Sequence, residues 1–332
     1  MLKRRQRGVA LITAIFVVTL ATIAAVALVE VSSISAHRSA NLVLSETEWW
    51  YASGIESWVK GILVADAKIT QGNTVGLNGI WAKPVDFLPI DGGGIRGHID
   101  DLQGRFNLNN LATAPAGTVS GNAGDTVYTL QFQRLLENLP NFDASKYRGI
   151  SFAIRDWVDA DDERSGTDGA EDQDYQSQDP PYRAANQGMH SVSELLLVRG
   201  MSKELYAALL PYVTVLPVTT QVNVNTAPLP VLLSLSSNID QQALQKFVAE
   251  RTSKPASNPS DVSGSGSYAF ILPPQSQPGQ PPVQAVPIDV KSSYFGLQAE
   301  VFVGSGRLAL YSVIQRPGAG SPVILAHSTN TQ

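Results

Sequence analysis

The chain contains no cysteine. That excludes disulfides, thiolate zinc sites and thiol catalysis. In an oxidising compartment its stability must then come from packing or from a bound metal. Histidine is also scarce: His37, His98, His190 and His327 are the only four. They show neither H-E-x-x-H nor catalytic-triad spacing, so each reads as a surface or packing residue. Positive charge is not in excess. The formal net charge is −5, which leaves no electrostatic reason to expect nucleic acid as a partner. With 332 residues and 43% hydrophobic content, the chain can bury a core and form more than one domain.

Charge is missing altogether from Val9 to Val29, while Lys3, Arg4, Arg5, Arg7 and then Gly8 precede that run. A helix of this length spans about the 30 Å of a bilayer's hydrocarbon core. The basic flank keeps the start cytoplasmic and sends the rest outward. A secretory signal peptide has a shorter apolar region that ends at a small-residue cleavage site. Here the run is longer and no A-x-A-like site interrupts it. The junction Arg7-Gly8-Val9-Ala10-Leu11-Ile12-Thr13 resembles a type IV prepilin. That resemblance implies cleavage after Gly8 by a prepilin peptidase and methylation of Val9 as the new N-terminus. It also implies a helix that stays on as the packing core of a filament. Major pilins carry glutamate at the fifth mature position; counting from Val9, that position is Thr13.

The helix is expected to continue past Val29 through a polar zone of Glu30, Ser32, Ser33, His37 and Arg38. Leu42, Leu44, Trp49, Ala52, Ile55, Val59, Ile62 and Leu63 then recur at three- and four-residue steps, an amphipathic stripe. One helix over 9–67 follows, membrane-buried first and docked on a soluble domain second. Trp49, Trp50 and Tyr51 lie about 30 Å from Val29 along it. That is too far for a membrane interface, so they read as core or partner packing.

Residues 70–92 read as a loop. Ile95, Gly97 and Ile99 alternate with Arg96, His98 and Asp100 as in a half-buried strand. The glycines at 92–97 match G-x-G-x-x-G as a string, but the last sits in a strand pattern instead of opening a helix. That removes the dinucleotide reading and leaves a glycine turn. Arg105–Leu111 and Gln221–Ala227 echo each other, each alternating apolar residues with asparagine, and they read as the start and end of an inserted helical module. Helices are expected at 129–139, 149–158, 191–198 (capping box Ser191 to Glu194), 203–213 and 228–235. Asn225 or Thr226 caps the last, with Pro228 in its first turn. Residues 253–286, rich in Ser, Pro, Gly and Gln, read as a linker or long loop. Strands at 297–303, 307–314 and 322–327 form an antiparallel meander with one face on the long helix.

Polar chemistry is densest in Asp156–Asp179, where ten acids stand with Arg164 as the only base. Crowded carboxylates repel unless a cation neutralises them. Hard oxygen ligands on a Gly-containing loop, with no His or Cys, select Ca²⁺ over zinc or copper. Asp159-x-Asp161 matches the first two ligands of an EF-hand, but the glycine and closing glutamate of that loop are not in place. The alternative is a solvated acidic loop. No single acid and base stand apart as a glycosidase pair would.

The strings Asp156-Trp157-Val158-Asp159-Ala160-Asp161, Gly169-Ala170-Glu171-Asp172, Pro181-Tyr182-Arg183-Ala184-Ala185-Asn186, Ser193-Glu194-Leu195 and Val222-Asn223-Val224-Asn225-Thr226-Ala227 occur in that order behind the prepilin-like start. Over nearly its whole length the chain is similar to the general secretion pathway protein K family (GspK), minor pseudopilins of the type II secretion system. The resemblance implies an α+β fold: a type IV pilin-like long N-terminal helix packed on an antiparallel sheet, with a large inserted α-helical domain. The expected divisions are a leader at 1–8, the transmembrane and pilin helix at 9–67, the first part of the pilin domain at 68–110, and the inserted calcium-binding domain at 111–219. A second helical segment with the Pro/Ser-rich loop follows at 220–285, and the C-terminal strands at 286–332. It further implies two calcium ions, with Asp159, Asp161, Glu171, Asp172, Asp174 and Asn186 as the ligand pool and no enzymatic activity. The implied partners are the minor pseudopilins I and J and, through them, the other pseudopilins at the tip of a pseudopilus that helps export folded proteins across the outer membrane. The implied location is the inner membrane, single-pass, with the C-terminal bulk in the periplasm. Two other readings compete. A minor pilin of a type IV pilus or DNA-uptake machine needs a basic stripe, whereas the insert is the most acidic part of the chain. A membrane-anchored calcium-dependent hydrolase needs a separable catalytic pair.

Overall fold

The computed structural model describes residues 7–113, 125–272, 285–318 and 320–330. Leader residues 1–6 and the proline-rich core of the expected linker, 273–284, lie outside the described residues.

Helix α1 runs unbroken from Arg7 to Ile69. No proline interrupts it, and the hydroxyls of Thr13, Thr19 and Thr22 donate to carbonyls one turn back, which satisfies them inside the helix. It ends where Gln71 and Gly72 enter the left-handed region and the Gly72 N–H closes on the Ala67 carbonyl at 2.8 Å. From Gly8 to Val43 every residue is exposed. Burial begins at Leu44 and then follows one face through Ala52, Ile55, Val59 and Leu63. Two members of the expected stripe leave it, for Leu42 and Trp49 are exposed. They lie at the helix's emergence from the body, and Trp49 packs only edge-on against the His327 ring, centroids 5.6 Å apart. Trp50 is exposed too, so the two tryptophans are not core, whereas Tyr51 is half-buried and packs against the core beneath the helix.

The face of α1 that is buried covers a five-stranded antiparallel sheet. Its strands are β1 (Val85–Ile90), β2 (Gly93–Asp101), β7 (Tyr294–Val303), β8 (Gly306–Gln315) and β9 (Val323–Thr329), in the order β1-β2-β7-β8-β9. The expected half-buried strand and C-terminal meander are therefore present in one sheet. Ile95, Ile99, Leu297, Val301, Leu310 and Ile314 fill the space under α1. Burying such side chains stabilises by about 1.5–3 kcal/mol each. Two expectations need correction. Residues 70–92 are not simply a loop: a 3₁₀ turn at Ile80–Ala82 buries Trp81, and β1 follows. Its Phe87, Leu88 and Pro89 are exposed at the sheet edge, so the alternation that marks a strand is missing. In the glycine run only Gly92, at φ +78°, makes the turn. Gly93 lies within β2, where a Cβ would collide with the Phe302 carbonyl of β7.

β2 and β7 pair from Gly93↔Val303 to Asp101↔Phe295, so everything between them is an excursion from the sheet. That excursion holds the short strand β3 (Phe106–Asn107), α2 (Val127–Glu137), α3 (Ile150–Val158), α4 (Asp172–Gln176), α5 (Lys203–Leu209), β4 (Val213–Thr214), β5 (Val222–Asn223), α6 (Leu229–Ser234), α7 (Gln241–Glu250) and β6 (Ile288–Asp289). One apolar core, including Phe106, Phe132, Ile154, Leu195, Leu232 and Phe247, runs through it. The first asparagine segment opens it, but the second, expected as its end, stands within it, with α6, α7 and β6 still to follow and packed on the same core. β3 pairs in parallel with β4, and β5 with β6. Asn107 and Asn223 each turn a side-chain oxygen onto the backbone N–H two residues ahead. The Asn223 amide also reaches Val75 O, Asp101 Oδ2 and Ser292 Oγ, all within 3.0 Å, and so fastens the excursion to the sheet.

The helix expected at 203–213 stops at Leu209, because Pro211 breaks it and the chain becomes β4. The segment at 191–198 keeps its Ser191–Glu194 capping box but winds as 3₁₀ over Val192–Leu197. Neither Asn225 nor Thr226 caps α6. Asn225 brackets the Ala256 backbone and Thr226 donates to Asp101, while Pro228 is the cap residue and Pro230 sits in the first turn. α7, not expected from the sequence, is capped by Asp240. Residues 253–272 are ordered: Tyr268 and Phe270 pack on Phe247 at 4.9 and 5.3 Å. Buried aromatics, invisible to a compositional reading, hold this stretch down.

Candidate metal centre

The acidic stretch begins on the last turn of α3. Ile150, Ala153, Ile154 and Trp157 make that helix amphipathic, and Asp156 lies among them fully buried. The following loop folds back over the helix end. The Ser165 N–H donates to Asp156 Oδ1 at 2.9 Å. A Cβ at Gly169 would collide with the Asp156 carboxylate, so glycine is what allows the loop to close there. Glu171 then returns at the start of α4.

This folding brings Asp156, Asp159 and Glu171 together, each offering a carboxylate oxygen within 4.8 Å of the others. All three residues are buried. Among the described residues, Asp156 Oδ2, Asp159 Oδ1 and both carboxylate oxygens of Glu171 have no hydrogen-bond donor, and neither has Asn186 Oδ1. An unsatisfied buried polar group costs about 1–3 kcal/mol, more when charged. Burial, together with the charges of Asp161 and Asp156, pushes Asp159 up to about 7. Burial and four neighbouring carboxylates, led by Asp156 and Asp159, push Glu171 up to about 7. Arg155 offsets this only in part, with Nε 3.5 Å from Asp159 Oδ2. Orphaned, converging, like-charged oxygens on a glycine-containing loop are the donor set of a hard cation, and a Ca²⁺ ion would supply the missing charge and partners together.

The expected ligands divide. Asp159 and Glu171 converge. Asp161 lies within electrostatic reach of both, and its Oδ1 accepts the Glu163 N–H. Asn186 takes a left-handed backbone at φ +44° and its amide donates to Asp162 Oδ1 at 2.9 Å, leaving its own oxygen buried and without a donor. Asp172 and Asp174 turn elsewhere: Asp172 accepts the Ala184 N–H at 3.0 Å, and Asp174 pairs with Arg164 and Arg199. Asp156 was not in the expected pool. The signal for it was an acid inside the apolar stripe of a helix, three residues before Asp159.

Among the described residues, α1 is the one helix long and apolar enough to cross a membrane, with a window of mean hydropathy 2.6 none of which is buried. Two family models described as type II secretion system protein K match the chain, one over residues 104–218 and one over 222–273. The type II secretion system protein K of Aeromonas hydrophila is 34% identical over 333 residues, covering 98% of this chain and 98% of that one. The protein of the same name from Pseudomonas aeruginosa is 33% identical over 330 residues, covering 98% and 93%. The solved GspK-GspI-GspJ complex from enterotoxigenic Escherichia coli contains a chain with a TM-score of 0.68 and 24% identity, which covers 89% of this chain and 100% of that one and so shares its fold. Long helix, antiparallel sheet, helical excursion and full-length similarity converge on one conclusion: the chain belongs to the type II secretion system protein K family and is a minor pseudopilin, a structural component of that secretion system.

Proposed function

We propose that the chain is anchored by α1 in the inner membrane, with its C-terminal bulk in the periplasm. There it stands at the tip of the pseudopilus with the minor pseudopilins I and J, helps initiate assembly and export of folded proteins, and does no catalysis. The observation that carries this is the two-part α1: an exposed first part, uncharged from Val9 to Val29, continuous with a second part docked on the sheet. The solved relative was crystallised as a GspK-GspI-GspJ complex, which supports I and J as partners. Thr13 supports the tip position. Major pilins use a glutamate there, and a charge in the bilayer costs about 2.5–3.5 kcal/mol on insertion scales unless paired. Thr13 has no such charge, and its hydroxyl is satisfied by Val9 and Ala10 carbonyls. A subunit with none ahead of it needs no paired glutamate.

Processing and position are tested separately. N-terminal sequencing of mature protein should begin at Val9; a chain beginning at Met1, or beyond the apolar run, removes the prepilin reading. Crosslinking in secreting cells should trap the chain with distinct minor partners at low copy number, and a ladder of self-adducts would reject the tip position.

The second part of the proposal is that the helical excursion binds Ca²⁺. Asp156, Asp159 and Glu171 hold it, with Asp161 and Asn186 at the rim. The ion supplies countercharge and cross-links α3, the acidic loop and α4. Its role is structural: it fixes the loop that folds over the end of α3.

A further inference from the structure

We infer that Asp174, together with Arg164 and Arg199, positions the calcium cage and is not one of its ligands; this rests on the calcium reading above. Both oxygens of Asp174 are engaged. Oδ1 accepts from Arg199 Nη1 at 2.7 Å. Oδ2 accepts from Arg164 Nη2 and from the backbone N–H of Glu171 at 3.1 Å. A cation approaching this carboxylate meets two guanidinium charges, and its two oxygens already accept from three donors. The contrast with Asp156, Asp159 and Glu171 is direct, because each of those keeps a buried oxygen with no donor among the described residues.

The contacts of Asp174 explain how Glu171 is aimed. Glu171 is the cap residue of α4, and its N–H is tied to Asp174 three residues ahead. That bond fixes the backbone from which the Glu171 side chain reaches Asp156 and Asp159. Arg164 comes from the loop just after the first acids. Arg199 comes from beyond the 3₁₀ turn at Val192–Leu197, and its backbone N–H also donates to the buried Tyr175 hydroxyl at 3.4 Å. Tyr175 packs edge-on against Trp157, ring centroids 5.2 Å apart, and Trp157 adjoins Asp156. One carboxylate thus joins three separate segments around the cage. The two arginines also neutralise a charge that would otherwise add to the crowding at Glu171.

Outer-shell partners of this kind change metal affinity by 10–100-fold when removed, without changing the ligand count. The test is calorimetric titration of the detergent-solubilised full chain with calcium chloride, wild type beside Asp174→Asn, Arg199→Ala, Arg199→Lys and Asp159→Asn. The expected result is that Asp174→Asn and Arg199→Ala each bind as many ions as wild type but about tenfold or more weakly. Arg199→Lys, which keeps the positive charge, recovers most of that loss. Asp159→Asn lowers the number of ions bound. The Arg199 side chain is half-exposed, so its variants test the inference even where Asp174→Asn fails to fold. A drop in ion number for Asp174→Asn makes Asp174 a ligand and overturns the inference, as does unchanged affinity in Arg199→Ala. A wild-type chain that binds no calcium overturns the calcium reading itself, a result distinct from either.

Discussion

Chelating calcium from the full-length protein in detergent is expected to lower its melting temperature by about 1–7 °C. The range follows from binding linkage. Extracellular calcium modules bind at roughly 10⁻⁴–10⁻³ M, so about 2 mM free ion stabilises the native state by about 0.6–1.8 kcal/mol. A domain of 150–250 residues shifts by about 2–4 °C per kcal/mol. The Asp159→Asn variant should show no such shift. Without calcium it should melt no lower than wild type, because it removes a buried charge that Asp156 and Asp161 repel. The pH dependence has a definite sign. In the calcium-free protein Asp159 and Glu171 titrate near 7, well above the roughly 4 expected in the unfolded chain. The folded state then holds more protons than the unfolded state between about pH 4 and 7. Their contribution to stability is complete below that window and is lost as pH rises through 7. Calcium keeps both groups ionised, so the slope flattens with saturating ion, and affinity falls as pH drops below 7. A melting temperature indifferent to chelator across this window would make the stretch a solvated acidic loop.

Asp66→Ala is expected to cost about 3–5 kcal/mol, the usual penalty for removing one partner of a buried ion pair. Asp66 and Arg316 sit between α1 and the end of β8, with side chains 3% and 9% exposed and Nη1 3.3 Å from Oδ2. Arg316 also donates to the Leu63 and Ser292 carbonyls and lies over the Phe295 ring at 4.9 Å. The other Asp66 oxygen accepts the Ile80 N–H that starts the turn burying Trp81. Truncating Asp66 therefore strands a guanidinium with no countercharge and frees the loop that covers the helix end. Denaturant unfolding of the full chain measures this, and the double variant Asp66→Ala with Arg316→Met should cost less than Asp66→Ala alone. A single-variant loss below about 1 kcal/mol would show that water reaches the arginine.

Much of this was legible because it is local or periodic. The uncharged run from Val9 to Val29 and the glycine before it state their chemistry outright. The alternation at 95–100 and 297–303 has period two, and Ile55, Val59 and Leu63 recur along one helix face, so strand and helix follow from where side chains must point. Elements without a period were missed. β1 exists because β2 offers it backbone partners, and its own Asp86, Phe87, Leu88 and Pro89 carry no alternation. Residues 253–272 read as linker by composition, and packing on the Phe247 ring and the core around it makes Tyr268 and Phe270 buried.

The candidate site divides in the same way. That the chain carries a dense carboxylate loop with glycines, and that this loop has no cysteine or histidine to compete for a metal, was determined by the sequence alone. Which acids share a point in space was decided by tertiary structure. Asp156 and Glu171 are fifteen positions apart and meet only because the loop folds back over the end of α3 past Gly169. Asp172 and Asp174 stand next to Glu171 in the chain yet are claimed by Ala184, Arg164 and Arg199, the last of these twenty-five positions beyond Asp174. Sequence order tells which carboxylates are available. Burial and the competition of arginines and backbone N–H groups for their oxygens, both properties of the folded chain, determine which are left for a cation.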